Sequence, residues 1–225
     1  MKLTALGASL LCATALVCST SAVASAQNLV RNGGFEDYGL NNRKWKHYGA
    51  ESADLFGWTP TEGSRIEIRN NIAGTAFEGN HYAEVDSHAY NKNAAEIGFF
   101  QDIVTEIGQQ YTLSFNFGPR EQKRVNGDNL LAASFGDFYQ AFDAGNYRDG
   151  WQSFSTTITA TNDVTRLKFL SLGKRDTYGA NVDNVRLEFA AAPEAEAVPE
   201  PFSILSVAIV GALGIQGKRM QRQRR

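Results

Sequence analysis

Beyond residue 26 the 225-residue sequence has no cysteine: Cys12 and Cys18 both fall in the first 26 residues. A chain without them has no disulfide, no thiol nucleophile and no cysteine metal site. Histidine is scarce as well, with three residues, and the spacing of His47, His81 and His88 does not suit zinc. Neither Gly-x-Ser-x-Gly nor His-Glu-x-x-His occurs. Glu84 and Asp86, two apart on one strand, have a spacing of about 7 Å that would suit glycoside hydrolysis, but many surface pairs share it. The expectation is therefore a protein that is not an enzyme. Between the two ends no window carries a helical stripe, which excludes an all-α or α/β domain.

The first 26 residues have one cation (Lys2), an apolar region from Leu3 to Val17 and Ala24-Ser25-Ala26. That is the pattern of a secretory signal peptide cut by signal peptidase before Gln27. The cysteines are not lipoprotein acceptors, since Leu11 and Val17 stand where a small residue is needed. At the other end the only long apolar run, Phe202 to Ile215, has 14 residues. As a helix it reaches ~21 Å against roughly 30 Å of hydrocarbon, too short for a lasting anchor. Lys218, Arg219, Arg222, Arg224 and Arg225 follow it and favour a cytoplasmic terminus. These assignments leave a single domain at 27–189, an Ala/Glu linker at 190–197 and a C-terminal signal at 198–225, with its membrane segment at 202–217.

Charge narrows the partners. Of 22 Lys and Arg, one precedes the domain and five follow it; of 24 Asp and Glu, three follow it. The domain is thus near −5, which excludes a nucleic-acid partner, since that would need a basic face.

Alternation with period two dominates the domain. Tyr111, Leu113, Phe115 and Phe117 form one apolar face, and residues 165–171 and 182–189 read alike, with a shift of phase or a bulge at Asp183-Asn184. Weaker strands are expected at 28–31, 65–69, 81–86, 97–104, 130–135, 138–142 and 152–159. Gly, Asn and Asp punctuate the gaps at 33–34, 78–80, 126–128 and 143–146. About ten short strands in one domain predict an all-β sandwich or jelly roll.

Tyr82, Glu84 and Asp86 share one face of a strand, where an aromatic ring and carboxylates would suit a sugar ring and its hydroxyls. His81, His88, Tyr90 and Arg120 would border it. The same three residues equally suit the solvent face of an edge strand. Trp58 and Trp151 are expected in the core. Trp45, in the polar stretch 41–48 read as a loop, is the candidate exposed platform.

Two resemblances add to this reading. Pro199, Glu200 and Pro201, the short apolar segment and the Arg-rich tail together resemble the PEP-CTERM sorting signal of Gram-negative bacteria. The resemblance implies export through the inner membrane, recognition of Pro199–Pro201 by a membrane-embedded exosortase acting as protease or transpeptidase, and delivery to the cell surface or extracellular matrix. Secondly, Asn28-Leu-Val-Arg-Asn-Gly-Gly-Phe-Glu36, Phe56-Gly-Trp58, residues 77–87 (Phe-Glu-Gly-Asn-His-Tyr-Ala-Glu-Val-Asp-Ser), Phe100-Gln-Asp-Ile103, Trp151 and Val182-Asp-Asn-Val185 occur in an order that resembles the galactose-binding-like jelly rolls of bacterial carbohydrate-binding modules. That resemblance implies non-catalytic polysaccharide binding, with Trp45, Tyr82, Glu84, Asp86 and Arg120 as the candidate ligand residues. It also implies one structural Ca2+ held by Glu36 and Asp183, whose bland alternative is that both carboxylates only accept backbone N–H groups. The other functional expectations are a structural surface protein that contacts other proteins, and, less favoured, a polysaccharide-modifying enzyme with a deep cleft.

Overall fold

The computed structural model describes residues 27–87, 93–121 and 129–191. The signal peptide, most of the linker, the motif at 199–201, the membrane segment and the basic tail lie outside the described residues. So do His88, Tyr90 and the turn at 126–128.

Eleven strands build two antiparallel sheets: β1 (Lys44–Tyr48), β2 (Thr59–Pro60), β3 (Ile66–Asn70), β4 (His81–Glu84), β5 (Gly98–Val104), β6 (Gln110–Gly118), β7 (Leu130–Phe135), β8 (Phe138–Asp143), β9 (Gln152–Thr159), β10 (Val164–Ser171) and β11 (Asn181–Phe189). One sheet has the order β1-β3-β4-β11-β6-β9, the other β2-β5-β10-β7-β8. From β4 onward the chain crosses between the sheets at each connection except the β7–β8 hairpin, the last crossing, β10–β11, being made by the loop at 172–180. The result is the expected jelly-roll sandwich. Its only α-helix among the described residues is the single turn α1 (Ala53–Phe56), and no described helix is long and apolar enough to cross a membrane.

Alternation explains the core. Ile66 and Ile68, Ala83 and Val85, Tyr111, Leu113 and Phe115, and Val182, Val185 and Leu187 point inward from the six-stranded sheet. They meet Phe99, Ile103, Leu131, Ala133, Phe135, Leu167 and Phe169 of the five-stranded sheet. Trp58 sits among Phe35, Phe99 and Phe169, fully buried as expected. The expected bulge is present in β11: its register with β6 shifts between Asp183 and Arg186, and Asn184 adopts φ 50°.

Three local expectations change. Residues 28–31 form no strand; Leu29 donates one N–H to the Leu187 carbonyl, and the Asn28 amide does the rest by binding Val185 and Leu187. The chain lies so close to β11 here that a Cβ on Gly33 would fall 2.0 Å from the Val185 carbonyl oxygen. Residues 44–48 are a strand, β1, and not part of a loop. Trp45 and His47 alternate with Lys44, Lys46 and the buried Tyr48 as the strand pairs with β3, and lysines suit an edge strand. Trp151 lies outside the core, on the outer face of the six-stranded sheet, against Gly118.

Among the described residues the whole core and both sheets fall between residues 27 and 190, so this span carries a core of its own.

Candidate functional site

The outer face of the six-stranded sheet is polar where the inner face is apolar, and register places its residues in rows. His47 opposes Glu67, Glu67 opposes Glu84, and Glu84 opposes Asn181. One row along, Trp45 opposes Arg69 and Arg69 opposes Tyr82. Strands ~4.8 Å apart put Trp45 about 10 Å from Tyr82 across Arg69.

Tyr82, Glu84 and Asp86 do share a face, as expected, but that face is not solvent. β4 is central, between β3 and β11, and all three residues are buried. Loops close over them. The Tyr82 hydroxyl donates to Ile72 O at 2.7 Å, and Trp151 Nε1 donates to Thr75 O at 2.9 Å. The Tyr82 and Trp151 rings meet edge to face at 5.8 Å.

Glu84 is the hub. It ion-pairs with Arg69, accepts from Arg120 Nη1 at 2.9 and 2.7 Å, and accepts the Gly179 N–H at 2.7 Å. Arg69 Nε also donates to Glu67 Oε1 at 2.8 Å, and Glu67 Oε2 lies 3.0 Å from His47 Nε2. Burial pushes the Glu84 carboxyl above its usual range; Arg69 opposes this, Glu67 adds to it and Arg120 opposes it. Glu67 is likewise raised by burial but ends below its usual value because His47 and Arg69 face it. Arg120, the expected border residue, therefore belongs to the network, and its guanidinium lies 4.5 Å from the centre of the Tyr178 ring. Two guanidinium atoms in this network, Arg69 Nη1 and Arg120 Nε, are buried and have no hydrogen-bond partner.

Asp86 is a loop clamp. Its Oδ2 accepts N–H groups of Asp176 and Thr177 at 3.2 and 3.0 Å. Burial still pushes it up to about 6. Closed off from solvent and held this way, Glu84 and Asp86 cannot flank a glycosidic bond.

Trp45 is the exposed member of the face, 51% accessible, with its ring 5.0 Å from that of His47. Glu67, Arg69 and Tyr178 were missed in the sequence. The alternation Glu67-x-Arg69, polar side chains two apart between isoleucines, was the signal that could have found the first two.

Glu36 and Asp183, from opposite ends of the domain, converge on one turn. Asp183 Oδ2 accepts the Phe77 and Glu78 N–H groups at 2.9 and 3.1 Å, and Glu36 Oε1 accepts those of Asn80 and His81 at 2.7 and 2.8 Å. Glu36 Oε2 lies 2.8 Å from His81 Nδ1, so His81 belongs here and not beside Glu84. Gly79, at φ 65°, leaves room for the Glu36 carboxylate, which a Cβ would meet at 2.3 Å. Burial pushes Asp183 up to about 7 against the Glu78, Asn184 and Phe77 N–H groups, and the Glu36 charge adds to that rise. No described cation pairs with Asp183, and among the described residues no group of three His, Asp or Glu side chains is placed to hold a metal. A cation here would thus rest on two carboxylates plus carbonyl oxygens. Asp183 Oδ1 also accepts the Asn184 N–H at 2.7 Å, so each of the four carboxylate oxygens already has a partner in the fold, and a divalent ion would have to share them.

No family model matches the sequence, and no curated protein matches it. Among solved structures the chain is similar to CBM4, with 19% identity and a TM-score of 0.42 over 72% of this chain and 99% of that one. It is also similar to TmCBM61 in complex with β-1,4-galactotriose, with 14% identity and a TM-score of 0.42 over 73% and 100% of the two chains. A family 35 carbohydrate-binding module from an environmental isolate gives 18% identity and a TM-score of 0.39, over 61% and 93%.

Proposed function

We propose that this is an exported, non-catalytic module that binds polysaccharide on the outer face of its six-stranded sheet. The observation that carries the reading is the pairing of an exposed Trp45 ring with a rigid charged floor beside it. That floor is a set of buried ion pairs, Arg69 with Glu67 and Glu84 and Arg120 with Glu84, and the part-exposed His47 reaches from it to the Trp45 ring. An aromatic ring offers a sugar an apolar platform, and the rigid network beneath it fixes how that ring is presented. Locked carboxylates serve binding and not proton transfer. In the same reading Glu36 and Asp183 hold a structural Ca2+ that ties the N-terminal segment to β11, and signal peptidase and an exosortase process the two ends.

Residues 27–190 are expected to be retained on one glycan class from a panel of bacterial and plant polysaccharides. Trp45→Ala is expected to weaken retention by about tenfold or more. Its melting temperature should stay unchanged, because the side chain is half exposed on an edge strand. Retention on no glycan, or a Trp45→Ala variant that binds like wild type, would remove the reading. For the tail, replacing Pro199, Glu200 and Pro201 together is expected to leave full-length protein in the inner membrane. Trimming and release as in wild type would show that the motif is not a sorting signal.

A further inference from the structure

β9 ends the six-stranded sheet, so among the described residues one side of its backbone has no strand beside it. Soluble proteins guard such edges with lysine, proline or a bulge. The opposite edge, β1, carries Lys44 and Lys46. β9 has no such guard: Gln-Ser-Phe-Ser-Thr-Thr-Ile-Thr is eight residues without charge or proline, paired to β6 with no register shift.

The direction of its free groups follows from the ladder. Ala190 donates to the Gln110 carbonyl, so Gln110 and the even-numbered residues of β6 face β11. Tyr111, Leu113 and Phe115 then face β9 and engage Ile158, Thr156 and Phe154. Ser153, Ser155, Thr157 and Thr159 are left with N–H and C=O groups directed away from the sheet. Their side chains are exposed on its outer face, while Phe154 and Ile158 are half-buried on the inner side.

The strand is also chemically palindromic about Thr156. Ser155 mirrors Thr157, Phe154 mirrors Ile158, and Ser153 mirrors Thr159. We propose that β9 is an interface for a second copy of this chain, pairing antiparallel about a two-fold axis through Thr156. Faces match only when residues of equal parity are opposed, and this register opposes them. Ser155 then exchanges both hydrogen bonds with Thr157 of the second copy, and Ser153 with its Thr159. Thr156 meets its own mate, and Phe154 packs on Ile158 across the closer, non-hydrogen-bonded pairs. Half-buried Phe138 and Phe142 of β8 lie beside Phe154, with ring centres 5.9 and 4.9 Å away, and extend the apolar strip. A neutral strand has no charge to repel its copy, and a two-fold axis closes the assembly at two chains.

The axis is perpendicular to the sheet, so both outer faces stay on one side of a continuous twelve-stranded sheet. If the outer face binds glycan, which rests on the proposed function above, the pair would grip one polymer twice and gain avidity.

Sedimentation velocity of residues 27–190, from about 1 to 500 µM as suits a small interface, tests the pairing without any glycan. The expected result is a mass rising to twice that of the monomer. Ser155→Lys with Thr157→Lys sets like charges opposite each other and is expected to weaken the dimer at least tenfold. Ser155→Lys with Thr157→Glu sets opposite charges in the same places and is expected to restore it. Thr157→Pro removes only an outward N–H, so it should give a folded monomer with a near-native melting temperature. A wild type that stays monomeric throughout overturns the proposal. So does a double-lysine variant that pairs like wild type, or a lysine–glutamate variant that fails to recover.

Discussion

Replacing Glu84 with alanine is expected to lower the unfolding free energy by about 3–5 kcal/mol, the range for breaking a buried ion network by removing one partner. Glu84 is fully buried, and its loss leaves Arg69, itself 1% exposed, with only Glu67 among its carboxylate partners. Arg120 keeps only the Thr177 carbonyl, at 3.2 Å, and the Gly179 N–H loses its acceptor at the same time. The effect should spread to the loop at 174–179, which Glu84 and Asp86 hold from below. Urea denaturation of the single variant and of Arg69→Met combined with Glu84→Leu separates the causes. The double replacement removes the orphaned charge as well as the carboxylate and is expected to recover part of the loss, while Glu67 keeps His47 as its partner. A loss below about 1 kcal/mol for Glu84→Ala, the level of an exposed ion pair, would mean that water reaches the network and that it is not a rigid floor.

In EDTA the domain is expected to be less stable at pH 8 than at pH 5. Asp183, pushed by burial to about 7, and Asp86, pushed to about 6, both bind a proton more tightly in the fold than in the unfolded chain. Unfolded aspartate titrates near 4. The stability from such a group is complete below that value and is lost as pH rises through the folded pKa, because the folded state holds more protons in between. At about 1.4 kcal/mol per unit, Asp183 alone accounts for roughly 3 kcal/mol between pH 5 and pH 8, since about two units of its shift fall inside this window. Glu67 and Glu36 end below their usual values, so their contribution disappears only at more acid pH, outside the window. Calcium requires the ionised carboxylates, so it should raise the melting temperature at pH 8, do little at pH 5, and flatten the slope. Asp183→Asn should abolish both the slope from this residue and the calcium response. A melting temperature in EDTA that is level from pH 5 to 8 would show that Asp183 titrates normally. An unchanged value at pH 8 on adding calcium would leave Glu36 and Asp183 as acceptors of backbone N–H groups and nothing more.

The sandwich was legible because period two is a strong local signal where one face is apolar. Tyr111 to Phe117, Leu130 to Phe135 and Gln152 to Thr159 fall within a residue of the strands observed, and even the β11 bulge showed as a break in phase. β1 was not legible, since Lys, Asn and Arg around Trp45 hide an alternation that only β3 completes. The two short residues of β2 carry no period at all.

For the site, the sequence by itself determined that Tyr82, Glu84 and Asp86 share a face, because the pleat imposes it whatever lies nearby. It also determined that two carboxylates stand near the two ends of the domain. Only the tertiary structure decided that this face is buried, that Arg69, Glu67 and Arg120 converge on Glu84, and that Trp45 is left as the open ring. These outcomes depend on strand order and on loops brought over β4, one from 71–80 just before it and one from 174–179, far from it along the chain. An alternating pattern says which side chains point together; what covers them is fixed by contacts that no local pattern records.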